Sequence, residues 1–417
     1  MDRGREGPPP PGRPLNLVST FHLQAARSVP SIGWSFHHRS RGLSSVPPNP
    51  SRESLPVYFK VFDCWRFAAA LLVMIYHFLF WGPAETKAGI DFLYRLLPLL
   101  DMFFMISGFF ITSRYASRLE TLSDYGSFFR RRVARLYPLH VLTTMFFVAV
   151  ALFAFANGAQ NYPWRSDFEL LPYALFGLHA LGFTDTLGLN YVTWSVSAEF
   201  FSYAMFPLIV LALRWRGTAG LAALVAVYLT GLEIASSHGV FPSGHWTTAD
   251  TMGAYRAFAD FMIGGLLARL VARSSLALTS PLPGIAFMAC AVIAMMALAP
   301  WYVSFGLIIV SLYLSALAET RAPDSTRAIA FVLPVTAASF SIYIWHPVFE
   351  FFFLRVLWDR WLAETGSVNF YAFMILPMIL TILVGVLSVR FLEPRLAHLV
   401  AGPRPAGTPR TGAVPTT

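Results

Sequence analysis

Ten apolar stretches, each roughly the length of one membrane crossing, dominate the sequence. They lie near residues 62–81, 92–112, 137–156, 194–213, 219–235, 253–271, 283–298, 301–318, 329–352 and 371–391. Because 56% of the 417 residues are apolar and only 13% are charged, the chain is too apolar for a water-soluble globular fold. The sequence therefore predicts an all-α integral membrane protein with about ten transmembrane helices.

The distribution of basic residues predicts the orientation of these helices, because cytoplasmic loops carry an excess of Arg and Lys. An eleventh apolar patch, 170–183, is short and broken by Pro172, and we expect it to form a re-entrant or surface helix. With ten crossings and a cytoplasmic N-terminus, most of the 31 basic residues fall inside. The outer side keeps Lys87, Arg95, Arg165, Arg256, Arg355 and Arg360. Both termini are therefore predicted to be cytoplasmic.

The membrane domain is predicted to cover residues 56–398. Residues 1–55 are rich in Pro, Arg and Ser, and we expect them and residues 399–417 to be disordered tails. An Arg- and Ser-rich stretch within the first tail leaves an organellar transit peptide open as an alternative. The formal net charge of +9 raises nucleic acid as a partner, but the arginines lie between apolar runs, which is typical of membrane orientation. No nucleic-acid partner is predicted, and the oligomeric state stays open.

Some site chemistries are excluded by the motifs. Cys64 and Cys290 both lie inside apolar stretches, so neither a disulfide framework nor a paired-cysteine metal site is expected. The sequence contains no GxxxxGK[ST], HExxH or CxxC pattern. We therefore predict no metal and no phosphate site of the Walker type.

Ionisable residues inside the spans are costly and are candidates for a functional site. Arg66 lies roughly 6 Å into the first span and His77 roughly 22 Å along it, at about 1.5 Å per residue. The same depth reckoning brings Glu199, in the fourth span, and His346, in the ninth, to the outer layer that holds His77. Taken alone, Arg66 could be explained by a side chain that extends to the cytoplasmic interface, and His77 by a hydrogen bond to a neighbouring helix. A carboxylate and two imidazoles at the same depth are harder to explain in this way, and they predict a functional site.

A group of arginines precedes the third span on the cytoplasmic side. Arg132 and Arg135 are three residues apart and share one face of a helix. With Arg66 nearby in depth, their planar guanidinium groups could bind a polyphosphate. The alternative is that these arginines serve only to orient the protein in the membrane.

Six motifs occur in order along the spans: FDCWRFAA with YHF (62–69 and 76–78), DMFFMISGFF (101–110), FRRRVARLYP (129–138), WSVSAE (194–199), SFSIYIWHP (339–347) and EP (393–394). Together they resemble the membrane-bound acyltransferase-3 family, which includes O-antigen, exopolysaccharide and macrolide acyltransferases. Any single motif is weak, but six in order are specific. Cys64, Trp65, Phe67 and Val196 depart from the usual pattern of the family.

The resemblance implies an acyltransferase that transfers groups other than amino-acyl groups. Its co-substrate would be cytoplasmic acyl-CoA, with acetyl-CoA expected and no bound cofactor. The acceptor would be a hydroxyl of a carbohydrate, a lipid-linked sugar or another cell-envelope molecule, and the enzyme would lie in a bacterial inner membrane. His77 would be the general base, oriented by Glu199. Substrate binding is assigned to Arg66, Arg132, Arg135, Trp194, Ser195, Tyr343 and His346, and a covalent acyl group on Ser195 is left open.

A multi-span transporter is the alternative from another class. It would use the same buried His and Glu side chains as a proton relay. The absence of a visible internal repeat argues against it, since many transporters are built from two similar halves.

Overall fold

The computed structural model describes residues 59–158, 168–248 and 251–401, and these ranges contain helices and no strand. The predicted N-terminal tail and residues 402–417 of the predicted C-terminal tail lie outside the described residues. The α-helices are α1 (Lys60–Leu79), α2 (Lys87–Arg95), α3 (Asp101–Tyr115), α4 (Leu122–Ala156), α5 (Leu171–Leu175), α6 (Trp194–Ser237), α7 (Gly253–Arg273), α8 (Leu282–Met296), α9 (Trp301–Arg321), α10 (Leu333–Thr336), α11 (Ser339–Phe349), α12 (Phe370–Leu387) and α13 (Glu393–Ala401).

Within the described ranges, seven helical segments are long and apolar enough to cross a membrane. They are Lys60–Leu79, Leu97–Tyr115, Leu122–Ala156, Tyr191–Ser237, Trp301–Arg321, Ser339–Thr365 and Phe370–Leu399. Large apolar side chains such as Phe153 and Phe155 are exposed on their outer faces, as expected for helices that contact lipid. The described part of the chain is thus all-helical, and its seven long apolar helices indicate a multi-pass membrane protein.

Helix α6 contains two of the predicted spans. Its 44 residues are longer than one crossing needs, and the helical geometry is interrupted at Arg216 and Gly217. Gly217 has a φ of 59°, a left-handed conformation that glycine adopts without steric cost. Helices α7 and α8 coincide with two further predicted spans, but α8 has only 15 residues and α7 carries several charges. The count of about ten and the cytoplasmic termini therefore stay predictions.

The predicted ninth span is displaced in the structure. Instead of one helix over 329–352, a 3-10 helix covers Pro323–Val332 and the short α10 ends at Thr336. Helix α11 starts only at Ser339 and continues as a π-helix over Glu350–Leu362. The 3-10 helix and α10 each have a proline near their start, and a proline has no amide hydrogen for a helix that continues through it. Because the helix that begins at Ser339 continues to Leu362, Glu350 lies within a helix and not at its end, and its side chain is 2% exposed.

Helix α3 packs very closely against α7 at two glycines. A Cβ atom at Gly108 or Gly264 would collide with the backbone carbonyl of Phe261 or Met105, respectively. Only glycine therefore permits this approach. The contact fixes α3, which carries Ser107, next to the bundle interior.

The patch 170–183 forms no spanning helix, because its only α-helix, α5, has five residues. It is attached to the start of α6 instead: the Ser197 hydroxyl donates to the Gly177 carbonyl at 2.6 Å and accepts from the Ala180 amide at 3.2 Å. This segment holds the first turn of α6 in place.

Candidate active site

A cavity of about 260 Å³ opens between α1, α3, α4, α6 and the start of α11. We call it the arginine cavity, since its charged wall residues are Asp63, Arg66, Arg114, Arg132, Arg135 and Glu199. Four guanidinium groups against two carboxylates give it a positive balance. Such a lining is suited to an anionic ligand.

Aromatic side chains contact two of the arginines in this cavity. Arg132 donates from Nη2 to the Tyr115 hydroxyl at 2.8 Å, and its guanidinium carbon lies 5.1 Å from the centroid of that ring. The guanidinium of Arg66 lies 5.6 Å from the ring of Phe103. The buried Nε atoms of Arg66 and Arg132 have no hydrogen-bond partner among the described residues. Both side chains therefore keep donor capacity for a ligand.

Glu199 belongs to the arginine cavity. Ser107 on α3 donates a hydrogen bond of 2.9 Å to its Oε2, and the Ser107 hydroxyl lies 3.5 Å from that of Tyr203. Ser195 lines the same cavity, but its hydroxyl donates to the Val192 carbonyl at 3.0 Å in the first turn of α6.

A second cavity, of about 600 Å³, lies toward the other end of α1. We call it the histidine cavity, because His77 lines it together with aromatic side chains that include Tyr76, Tyr191 and Trp301. No carboxylate is among its described wall residues. Arg256 also lines this cavity, and its positive charge is balanced by Asp101, whose Oδ1 accepts a hydrogen bond from Arg256 Nε at 2.7 Å.

His77 lies in a cluster of rings. The ring centroid of Tyr191 is 4.7 Å from that of His77, edge to face, and the ring of His346 stacks on it at 5.4 Å. Tyr191 donates its hydroxyl hydrogen to Oε2 of Glu350 at 2.8 Å, while Nε1 of Trp81 donates to Oε1 at 2.9 Å. Glu350 is thus the carboxylate that reaches the surroundings of His77.

His346 is fully buried and is absent from the walls of both cavities. Its Nδ1 lies 2.7 Å from the Tyr343 carbonyl. Because a carbonyl oxygen only accepts, Nδ1 carries the hydrogen, and Nε2 is the basic nitrogen of the neutral ring. This arrangement suits His346 to hold the ring of His77, and not to donate a hydrogen bond from Nε2.

The two cavities meet at three side chains. Leu100, Trp194 and Tyr343 line both of them, and we call this set the partition. The Tyr343 hydroxyl donates to the Val192 carbonyl at 3.1 Å. The ring of Trp194 packs so closely on Gly253 that a Cβ there would lie 2.6 Å from the ring. The partition therefore forms a wall that the two cavities share.

The structure brings most of the predicted site residues together in two groups. Arg66, Arg132 and Arg135 line the arginine cavity. His77 lines the histidine cavity, and the ring of His346 stacks on the ring of His77. Trp194 and Tyr343 line both cavities. Glu199, which the sequence grouped with the histidines, lies with the arginines instead. At 11 residues along α1, about 16 Å of rise separates Arg66 from His77, so the cavities follow each other through the bundle.

Sequence reasoning gave no individual role to Glu350, to Ser107 or to the buried pair of Asp101 with Arg256, although Asp101 and Ser107 lie in the motif 101–110. Three of these are charged residues within predicted spans. The rule that drew attention to Glu199, that charges at membrane depth are functional candidates, applies equally to them. Ser107 gave no such signal, because a serine hydroxyl is common in transmembrane helices.

The family model described as an acyltransferase domain matches residues 59–389, which is most of the chain. The chain therefore belongs to this acyltransferase family. Family membership favours acyl transfer over the transporter alternative.

Three relatives are similar to parts of the chain. "Acyltransferase MdmB" of Streptomyces mycarofaciens is 32% identical over 135 residues, covering 30% of this chain and 33% of the relative. "Nodulation protein 10" of Rhizobium leguminosarum bv. viciae is 28% identical over 210 residues, 45% of this chain and 54% of the relative. "Protein 2 in picA locus" of Rhizobium radiobacter is 29% identical over 181 residues, which cover 42% of this chain and 91% of the relative. The alignments thus span about a third and about half of the first two relatives. No solved structure matches this chain.

Proposed function

We propose that the protein transfers an acetyl group from cytoplasmic acetyl-CoA to a hydroxyl of a cell-envelope carbohydrate or lipid-linked sugar, in a bacterial inner membrane. One observation carries this proposal: an arginine-lined cavity and a histidine-lined cavity meet at a shared partition. The donor would occupy the first cavity and the acceptor the second.

The arginine cavity supports a donor with phosphate groups. Arg132 and Arg135 would bind the phosphates of CoA, since guanidinium groups bind phosphate oxygens in a bidentate way. Arg66 lies deeper along α1 and would neutralise charge closer to the thioester. The volume of about 260 Å³ is at or below the lower limit of small-molecule sites, which favours a slender group such as the pantetheine arm.

The chemistry would take place at the partition. His77 would accept the proton of the acceptor hydroxyl, whose oxygen would attack the thioester carbonyl carbon. Collapse of the tetrahedral intermediate would break the carbon–sulfur bond, and the CoA thiolate would take the proton from the His77 imidazolium. The products are the acyl ester and free CoA, so protons and electrons balance without a cofactor.

The two carboxylates would have different tasks. Glu199, bound to Ser107, would hold the guanidinium of Arg66 in position, and so would act on the donor side. Glu350 would act on His77 through Tyr191, which touches the His77 ring and hydrogen-bonds the carboxylate. In hydrolytic triads the acid stabilises the imidazolium by a direct hydrogen bond, whereas here Tyr191 would stand between the carboxylate and the ring.

The histidine cavity supports a sugar acceptor. Its volume of about 600 Å³ is that of a small-molecule site. Trp301, Tyr76 and Tyr94 in its wall offer aromatic faces for the apolar face of a sugar ring, while Thr247 and Thr248 offer hydroxyl groups for its hydroxyls.

The test is acetyl transfer by the purified protein in lipid nanodiscs. Acetyl-CoA with a radiolabelled acetyl group would be supplied with lipid-linked sugars and polysaccharide from a bacterial envelope. We expect base-labile label in the carbohydrate and one free CoA per acetyl group transferred. A protein that binds acetyl-CoA but releases CoA only by hydrolysis, with every acceptor fraction, would refute the assignment of the acceptor.

A further inference from the structure

We propose that Leu100, Trp194 and Tyr343 form a gauge that limits the length of the acyl chain the enzyme transfers. The inference rests on the proposed function, because it concerns the acyl group that passes between the two cavities. It assigns chain-length specificity to the partition and not to the cavity that holds the CoA phosphates.

Geometry requires the thioester carbon to lie at the partition. The donor phosphates are held among the arginines of one cavity, and the base, His77, lines the other. A nucleophile arriving from the side of His77 can reach the carbonyl carbon only where the two cavities meet. The acyl chain attached to that carbon must then fit against Leu100, Trp194 and Tyr343.

Two further aromatic rings line the arginine cavity beside the partition. The ring of Phe104 lies 5.9 Å from that of Trp194, and the ring of Phe103 lies 6.2 Å from that of Tyr343. These four rings pack against one another where the acyl chain would lie. A chain of four or more carbons would therefore hold the carbonyl carbon back from His77.

The partition is also fixed in position. Close packing of the Trp194 ring on Gly253 and the hydrogen bond from Tyr343 to the Val192 carbonyl leave neither ring free to rotate away. In a closely packed interior, adding even one methylene group to a bound chain has a measurable energetic cost. Discrimination by at least about tenfold per extra methylene is the usual result in such pockets.

The experiment compares kcat/KM for acetyl-, propionyl-, butyryl- and hexanoyl-CoA, with one acceptor, in the wild type and four variants. Trp194→Ala and Leu100→Ala widen the partition, and we expect each to raise the ratio of butyryl to acetyl kcat/KM by about tenfold or more. Tyr343→Phe keeps the volume of the ring but removes its hydrogen bond to the Val192 carbonyl, so it should raise that ratio less than either alanine variant does. Trp215→Ala, at an indole that is 71% exposed outside both cavities, is the matched control.

The outcomes separate this inference from the proposed function. A wild type that uses acetyl- and butyryl-CoA equally well, or an unchanged ratio in both Trp194→Ala and Leu100→Ala, would overturn the gauge while leaving acyl transfer intact. If Trp194→Ala does not fold, Leu100→Ala decides alone, because Leu100 is only partly buried. A wild type that transfers no acyl group from any acyl-CoA would refute the proposed function itself.

Discussion

Substitution of Arg132 should weaken acyl-CoA binding far more than the same substitution of Arg130. The two residues lie on α4 two positions apart, but only Arg132 lines the arginine cavity, while Arg130 is exposed. Arg132 is already held by Tyr115 at 2.8 Å, so little rotamer entropy would be lost when it binds a phosphate. One charge-assisted hydrogen bond contributes about 1.5–3 kcal/mol, which corresponds to a factor of about 10 to 150 in Kd.

We therefore expect Arg132→Ala to raise the Kd for acetyl-CoA by about 10- to 150-fold. Arg132→Lys should recover only part of this loss, because an ammonium group lacks the planar fork and cannot bind phosphate and Tyr115 in the same geometry. Arg135→Ala should have a smaller effect, since Arg135 is more exposed and its charge is screened. The Kd would be measured by calorimetry on protein in nanodiscs at fixed ionic strength.

Arg130→Ala is the control for charge and for membrane orientation. It removes the same charge from the same helix and should change Kd by less than about twofold, as expected for an exposed charge. Equal losses in Arg130→Ala and Arg132→Ala, or an unchanged Kd in the Arg132 and Arg135 double alanine variant, would refute the donor site. These arginines would then serve only to orient the protein.

Further predictions concern topology, packing and pH. In a cysteine-free background, a cysteine at Ser237 should react with an impermeant reagent outside intact cells, and one at Gly217 should be protected; the reverse result would overturn the orientation. Gly264→Ala should lower the Tm through a steric cost of about 1–3 kcal/mol, whereas Gly306→Ala, with open space around it, should not. Burial lowers the pKa of His179 to about 4. Because an unfolded histidine titrates near 6.5, stability should fall as the pH drops from about 6.5 to 4, by up to about 3 kcal/mol. Replacing His179 by Gln should reduce that slope.

Sequence patterns predicted the elements of the fold better than their boundaries. Apolar length located a helix at each predicted span, because a segment in lipid must satisfy its own backbone hydrogen bonds. Boundaries were less certain where prolines and short 3-10 helices interrupt an apolar run. Pro98 lies in such a break just before α3, and the late start of α11 moved Glu350 from the expected outer end of a span into its interior.

The separation of Arg66 from His77 was predictable from the sequence, but the position of Glu199 was not. The rise per residue along α1 separated Arg66 from His77 correctly, because both lie on one unbroken helix. Glu199 was expected beside His77 from its depth alone. Which way its side chain points depends on the neighbour that α6 meets, and that neighbour is Ser107 on α3, brought there by the close packing of α3 on α7. A single sequence carries no direct record of such contacts.

The central claim is that His77 removes the proton from the acceptor hydroxyl. The most direct measurement is acetyl transfer per mole of folded His77→Ala protein, with the Kd for acetyl-CoA determined on the same sample. Loss of a general base lowers the rate by about 100- to 10,000-fold, while the arginine cavity, which His77 does not line, should bind the donor as before. A near wild-type rate per folded molecule would contradict the mechanism, as would a loss of transfer that matches a loss of folded protein or of donor binding.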